Sequence, residues 1–497
     1  MSHNLYHRFA SNFPADGGKP VLIDGNGVVA TYQIMEEKSA RIANLLTEMG
    51  TVIGNRVTVQ VDKSTDALWL YLGCLRAGLV FHPLNTAYQA SELEYFLDNA
   101  EPRIVVGDEE TTSLLQTIAG PESTVIDIAT LADHAREAST EFDTTTSAPD
   151  DLAALLYSSG TTGVPKGIML SHGNLVSNAE TLVLAWGFTL PDTLLHALPI
   201  FHVHGLFVGI SCTLMSGSCM YWLNGYGVEP VLNALPQCSV MMGVPTYYTR
   251  LLASDTFNRA HAESMRLFVS GSAPLLPETF HAFEERTGHR ILERYGMTET
   301  GMNSSNPLEG ERLAGMVGPA LPSVEIRVTD ADDQPVATGE VGDVQVRGPN
   351  VFQGYWKLPE KTVEDFTDDG FFNTGDQGTL DNRGYLSIMG REKDMIICGG
   401  LNVYPKEIEM LLDKRPGIEE SAVFGVAHAD FGEGVVAAIV ESNPGKLRET
   451  DVIQSVKSQL AGFKVPKAVV FLDELPRNTM GKVQKKQLRD TFKDLLS

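Results

Sequence analysis

Residues 152–167 read Leu152-Ala153-Ala154-Leu155-Leu156-Tyr157-Ser158-Ser159-Gly160-Thr161-Thr162-Gly163-Val164-Pro165-Lys166-Gly167. The apolar run ending at Tyr157 predicts a strand buried on both faces, because no alternating polar residue marks a solvated side. The ten residues from Ser158 hold three Gly, four hydroxyls and one Lys. Such a loop can turn backbone N–H groups and hydroxyls onto phosphate oxygens, with Lys166 as a point charge. It is not a Walker A loop, which reads G-x-x-x-x-G-K-[ST], since Lys166 follows Pro165 and precedes Gly167. Taken alone, the segment fits a ligand-free Ser/Gly connection equally well.

Outward from this strand the same grammar recurs. Apolar runs at 57–61, 103–106, 194–198, 239–244 and 266–269 predict further buried strands. Between them lie amphipathic stretches such as 32–49, where Ile34, Ala40, Ile42, Ala43, Leu45 and Leu46 fall at helical spacing. Strands alternating with helices predict an α/β fold of mostly parallel sheets covered by helices. The uncharged stretch 205–223 is interrupted by Gly, Ser, Thr and Cys and lacks flanking Lys or Arg anchors, so it reads as a buried helix running into a strand rather than a membrane span. After about Leu321 short turn-rich strands appear (VEIRVTD, GDVQVRGP, GYLSIMGR), predicting a small antiparallel or β-barrel-like subdomain. Beyond Arg391 a compact α+β pattern follows: a hairpin-like segment, a helix from Pro405, strands at 421–426 and 435–442, a helix near 451–460 and a strand at 468–472. These features predict a large N-terminal lobe over 1–390 and a small α+β C-terminal lobe over 391–497.

The chain has 497 residues, enough for about three domains. With 38 Lys and Arg against 63 Asp and Glu its net charge is −25, which argues against nucleic-acid or anionic-membrane partners. The charge is uneven, since residues from Arg391 onward hold 16 basic and 16 acidic side chains. Any polyanionic ligand is therefore expected at the C-terminal part. The five Cys include no C-x-x-C pair and sit in apolar surroundings, and the N-terminus has no signal-peptide pattern. Reduced thiols in a cytoplasmic protein are the expectation.

Four downstream segments decide between the readings of the 158–167 loop. They are Glu293-Arg294-Tyr295-Gly296-Met297-Thr298-Glu299, Phe372-Asn373-Thr374-Gly375-Asp376, Gly390-Arg391-Glu392-Lys393-Asp394 with Gly399-Gly400-Leu401-Asn402, and Pro476-Arg477-Asn478-Thr479-Met480-Gly481-Lys482. Each alone is weak, but in this order over more than 300 residues the chain resembles the adenylate-forming superfamily of acyl-CoA synthetases, adenylation domains and luciferase. The resemblance implies ATP, Mg²⁺ and CoA as cofactor and co-substrates, with two half-reactions. Carboxylate and Mg·ATP give an acyl-adenylate and pyrophosphate, and a thiol then displaces AMP.

By that resemblance, Ser158, Thr161, Thr162 and Lys166 hold the phosphates, Glu299 binds Mg²⁺ and Thr298 touches the α-phosphate. Ser272, Ala273 and Pro274, with Glu293, Tyr295 and Gly296, form the nucleotide wall, and Asp376 and Arg391 grip the ribose. Lys482 bridges carboxylate and α-phosphate in the first step, a task that suits a flexible ammonium. Lys393 is the hinge about which the small lobe swings, bringing Gly399, Gly400, Leu401 and Asn402 to line a pantetheine tunnel. His202 belongs to the catalytic set.

The acyl side departs from relatives that take fatty or aromatic acids. The residue before Tyr295 is commonly small in them and is Arg294 here, while Arg250 lies in the segment that resembles the acyl-lining helix. Desolvating a guanidinium is costly unless it is paired, so two Arg near a pocket predict a second anionic group on the substrate. Together with His204, the patterns HALPIFHVHGLF, MGVPTYYTRLL and ERYGMTET resemble the malonyl-CoA synthetases, which implies malonate, with methylmalonate a branched candidate. The competing structural reading pairs Arg294 with Glu293 or Glu299 and leaves Arg250 on a surface helix. The rival activities are a short-chain monocarboxylate–CoA ligase, an enzyme charging a carrier-protein thiol, and a non-catalytic nucleotide-binding regulator.

Overall fold

The computed structural model describes all residues except 1, 160–164, 274, 276, 392–395, 404, 444, 477–482 and 497. The chain divides into two compact units: Met1–Thr86, Leu97–Leu156 and Gly167–Gly390 form the first; Ala87–Phe96, Tyr157–Lys166 and Arg391–Ser497 form the second.

The first unit is α/β. Its eight-stranded sheet runs in the order Gly301–Ser305, Leu292–Met297, Leu267–Ser270, Val240–Gly243, Thr193–His196, Cys219–Trp222, Pro20–Asp24, Gly27–Thr31. The inner strands pair in parallel and the outermost strand on each side pairs antiparallel. A six-stranded sheet carries Arg56–Gln60 and Val80–Pro83 at its centre and includes Leu152–Ser159. Ala153, Ala154, Leu155 and Leu156 are buried, as a strand covered on both faces requires.

Helix Tyr32–Glu48 starts where the Thr31 hydroxyl accepts the Ile34 N–H, and it buries Met35, Ile42, Ala43, Leu45 and Leu46. Helix Thr65–Arg76, capped by Ser64, has no polar stripe and is buried from Ala67 to Arg76. The uncharged 205–223 stretch forms a π-helix at His204–Ile210, an α-helix at Ser211–Ser216 and the strand Cys219–Trp222. Its buried helix into strand follows the sequence pattern; the π-helix does not show in it. The turn-rich segment after Leu321 forms a four-stranded sheet, Glu325–Thr329, Gly342–Arg347, Phe372–Leu380 and Leu386–Arg391.

The second unit centres on an antiparallel pair of long strands, Ile418–His428 and Gly432–Glu441, with Ala468–Leu472 parallel to the latter. Helices Pro405–Leu412 and Glu449–Lys457 contribute Ile408, Leu412, Val452 and Val456 to its core. The hairpin Ile396–Cys398 to Leu401–Val403 turns through Gly399 (φ 60°) and Gly400 (φ 78°). Two consecutive left-handed residues are what a tight two-residue hairpin needs, and only glycine adopts them without steric cost.

Candidate active site

Parallel strands present their C-terminal ends on one edge of a sheet, where open α/β folds bind ligands. In the first unit the register sets Gly243 beside Ser270 and Ser270 beside Glu293, so the residues following these positions meet at that edge. Arg294 is 4 % exposed there. Its guanidinium lies over Gly271, where a Cβ would stand 2.3 Å from both Cζ and Nε. Its Nε and Nη2 are buried without a hydrogen-bond partner. Burial pushes the group down to about 9, and among the described residues the one electrostatic influence in the other direction comes from the Tyr248 hydroxyl.

Neither neighbouring acid compensates this charge. Glu293 turns its Oε1 to the Gly315 N–H at 3.1 Å, and burial pushes its carboxyl up to about 7. Among the described residues no acid contributes to the electrostatics of Arg294, so the pairing with Glu293 or Glu299 that the sequence left open is not formed. Arg250, on helix Pro245–Leu252, is exposed, and its charge is felt by Tyr226 and Tyr247. The expectation of two desolvated guanidiniums is thus corrected to one. On that helix Tyr248 and Leu251 face the core, which turns Arg250 to the opposite side.

His204 is buried, with Nδ1 3.3 Å from the Ser272 hydroxyl and Nε2 buried without a partner. Burial and then the charge of Arg294 hold it neutral, well below the usual histidine range. His202 also has a buried, unpartnered Nε2, and burial pushes it down to about 4. A neutral imidazole carries one N–H and one acceptor nitrogen, so the Ser272 hydroxyl can fix which nitrogen of His204 donates. Ser272 itself has φ 69°, a left-handed conformation unusual for a residue with a Cβ. The cluster of Arg294, His204, His202 and Ser272 offers hydrogen-bond donors to an anion and, among the described residues, no carboxylate paired with them.

On the nucleotide side, the Tyr295 hydroxyl donates to Asp376 Oδ2 at 2.6 Å. Asp376 is buried on strand Phe372–Leu380, next to Thr374, whose hydroxyl is tied to the Val344 carbonyl at 2.7 Å. Thr298 and the buried Glu299 lie on the turn between strands Leu292–Met297 and Gly301–Ser305. The Glu299 carbonyl accepts the Phe352 N–H at 2.7 Å, which fixes that turn. Gly296 is the penultimate residue of strand Leu292–Met297, and Ala273 is half-buried after Ser272. One buried carboxylate suits Mg²⁺, which takes one or two carboxylates and fills its remaining positions with phosphate oxygens and water.

In the second unit Lys166 is the second residue of strand Pro165–Ser171 and Ser158 lies near the end of Leu152–Ser159. Arg391 ends strand Leu386–Arg391, and Gly399, Gly400, Leu401 and Asn402 form the hairpin turn and its second arm. Thr161, Thr162, Pro274, Lys393 and Lys482 lie outside the described residues. Sequence reasoning passed over Tyr248, Lys63 and His196. The signal for His196 was a third histidine in the same HALPIFHVHG run.

These elements agree with what comparison with known proteins returns. Residues 9–356 match the AMP-binding enzyme family and residues 407–482 match the AMP-binding enzyme C-terminal domain. The chain belongs to the AMP-binding enzyme family. It is similar to ATP-bound MatB from Rhodopseudomonas palustris, with 49% identity, full coverage of both chains and a TM-score of 0.78. It is 33% identical to a malonyl-CoA ligase solved as a product complex with methylmalonyl-CoA and AMP, covering 94% of this chain and 99% of that one, with a TM-score of 0.83. Among characterised sequences, the malonate–CoA ligase of Arabidopsis thaliana is 35% identical over 90% of this chain and 79% of that protein.

Proposed function

We propose that this protein is an AMP-forming malonate–CoA ligase. It joins malonate to ATP as malonyl-adenylate with release of pyrophosphate, and the CoA thiol then displaces AMP to give malonyl-CoA. The observation that carries the substrate is Arg294, a buried guanidinium whose Nε and Nη2 have no partner and whose charge no acid balances among the described residues. An isolated buried charge is expensive, and a carboxylate bound two-pronged by a guanidinium relieves that cost. The carboxylate that reacts is ionised at neutral pH and needs no base, so Arg294 is left for the far end of a short diacid. Relatives named as malonate ligases support the same substrate.

The remaining roles follow from the family. Tyr295 and Asp376 hold the nucleoside, with Ser272 and Ala273 beside it. Thr298 meets the α-phosphate, and Glu299 holds Mg²⁺, which neutralises phosphate charge when bound. Lys166, Thr161 and Thr162 take the outer phosphates. Lys482 joins carboxylate and α-phosphate, Lys393 serves as hinge, and the Gly399–Gly400 turn lines the path of the CoA thiol. No helix among the described residues is long and apolar enough to cross a membrane. The five cysteines are free and buried, which fits a reducing cytoplasm.

A panel of acids in pyrophosphate exchange and in CoA-dependent AMP release tests the proposal. Malonate should be used at least about tenfold better than acetate, propionate or butyrate, because a monocarboxylate leaves a buried guanidinium unpaired. Equal use of propionate and malonate would remove the role of Arg294 and with it the substrate.

A further inference from the structure

Lys63 is a buried cation that the proposed chemistry does not use. It follows strand Arg56–Gln60 of the six-stranded sheet and precedes the Ser64 cap of the next helix. Its Nζ reaches the C-terminal edge of the eight-stranded sheet, 2.8 Å from His196 Nδ1, 2.7 Å from the His196 carbonyl and 2.7 Å from the Leu223 carbonyl. It also lies 4.2 Å from the centre of the Trp222 ring, on which the His196 ring stacks. No carboxylate of the described residues takes part.

The proton positions follow from what each partner can do. His196 Nε2 stands 2.9 Å from the Gly205 carbonyl, which only accepts, so Nε2 carries the proton. In a neutral ring Nδ1 is then the acceptor, and Lys63 must donate all three of its bonds. Burial weakens the hold of Lys63 on its proton, but the ammonium is the form that satisfies every acceptor around it.

The Gly205 carbonyl belongs to the π-helix His204–Ile210, and π-helical turns cluster at functional sites. The helix sits directly on the imidazole: a Cβ on Gly209 would come within 3.1 Å of His196 Cδ2 and Nε2. A Cβ on Gly205 would stand 2.0 Å from the Pro199 carbonyl oxygen, so this turn has no slack on its other side. His204, whose ring feels the Arg294 charge, is the first residue of that helix.

We propose that Lys63 is a positioning residue for the acyl site: by donating to His196 Nδ1 it fixes the orientation of the ring whose Nε2–H holds the Gly205 carbonyl, and so sets where His204 stands next to Arg294. The inference rests on reading the Arg294 pocket as the acyl site. A strut joining two sheets would affect stability and all substrates alike, whereas a positioning residue acts on malonate.

The test uses the full chain with ¹⁵N-labelled histidine, the His196 signal being assigned by its loss in His196→Gln. Free of ligand, the wild type should show His196 protonated on Nε2 alone with Nδ1 shifted as a hydrogen-bonded acceptor, and Lys63→Met should lose that Nδ1 shift. Kinetically, Lys63→Met should raise the malonate KM about tenfold or more while the ATP KM stays within about twofold. An unchanged His196 signal in Lys63→Met overturns the proposal, as does an equal rise of both KM values. Should Lys63→Met not fold, His196 variants decide. A glutamine can accept from Lys63 and donate to Gly205, so His196→Gln should keep the malonate KM within about threefold, and His196→Leu should raise it about tenfold. Equal effects of those two variants overturn the proposal. If Arg294→Met leaves the malonate KM unchanged, the pocket reading fails, while the ligand-free histidine signal still decides the role of Lys63.

Discussion

The guanidinium of Arg294 crosses Gly271 so closely that a methyl group on Gly271 would stand 2.3 Å from Cζ. Backbone and guanidinium are therefore fitted to each other, and the orientation of Arg294 depends on the absence of a side chain one strand away. Gly271→Ala should displace the guanidinium and raise the malonate KM about tenfold or more, with the ATP KM changed less. Steady-state kinetics with each substrate varied in turn provide the check. An unchanged malonate KM would mean that the position of Arg294 does not matter to binding.

Stability and binding should move in opposite directions at Arg294. Its charge is buried without a counter-ion, so the apolar Arg294→Met, of similar length, should raise the melting temperature while abolishing the preference for malonate over propionate. Thermal unfolding without ligand and the acid panel measure the two effects separately. A lower melting temperature would point to a partner for the guanidinium within the fold.

Tyr295→Phe removes the 2.6 Å bond to Asp376 and leaves a buried carboxylate short of a donor. Loss of a hydrogen bond to a charged group costs about 1.5–3 kcal/mol, so ATP affinity should fall about tenfold or more while malonate saturation changes little. Isothermal titration with ATP and the malonate KM at saturating ATP separate the two.

Glu293 confers a pH dependence whose sign is fixed. Its carboxyl stands at about 7 in the fold against an ordinary 4.5, so the folded state binds more protons than the unfolded state between those values. Stability from this group is full below about pH 4.5, declines as pH rises to about 7, and is flat above; the span is roughly 3 kcal/mol at most. Glu293→Gln should flatten this part of the profile and melt higher than wild type at pH 8. Melting curves from pH 5 to pH 8 test it, and a parallel decline in both proteins would assign the slope to other groups.

Lys482 is assigned to the first half-reaction only. Lys482→Ala should abolish malonate-dependent pyrophosphate exchange, yet leave thiolysis of supplied malonyl-adenylate largely intact. Equal loss of both steps would refute a role confined to adenylation.

Much of the architecture was legible in the chain because periodicity and continuity of apolar residues are local properties. The runs near 57, 194, 240 and 267 become buried strands, and 32–49 becomes the helix Tyr32–Glu48. The π-helix at His204–Ile210 was not legible, because its extra residue per turn depends on Gly205 and Gly209 meeting Pro199 and His196. Arg250 was within reach of pattern reading, since Tyr248 and Leu251 define the inward face of its short helix and Arg250 lies opposite.

What the residue order determined by itself was the alternation of strands and helices, the succession of nucleotide motifs, and the presence of Arg294 directly before Tyr295. What tertiary structure alone decided was which guanidinium lost its water, which acids failed to reach it, and how Lys63 came to hold His196. The physical reason is that solvation and pairing depend on neighbours brought together from distant parts of the chain, as Lys63 and His196 are, and no local window of sequence contains both members of such a pair.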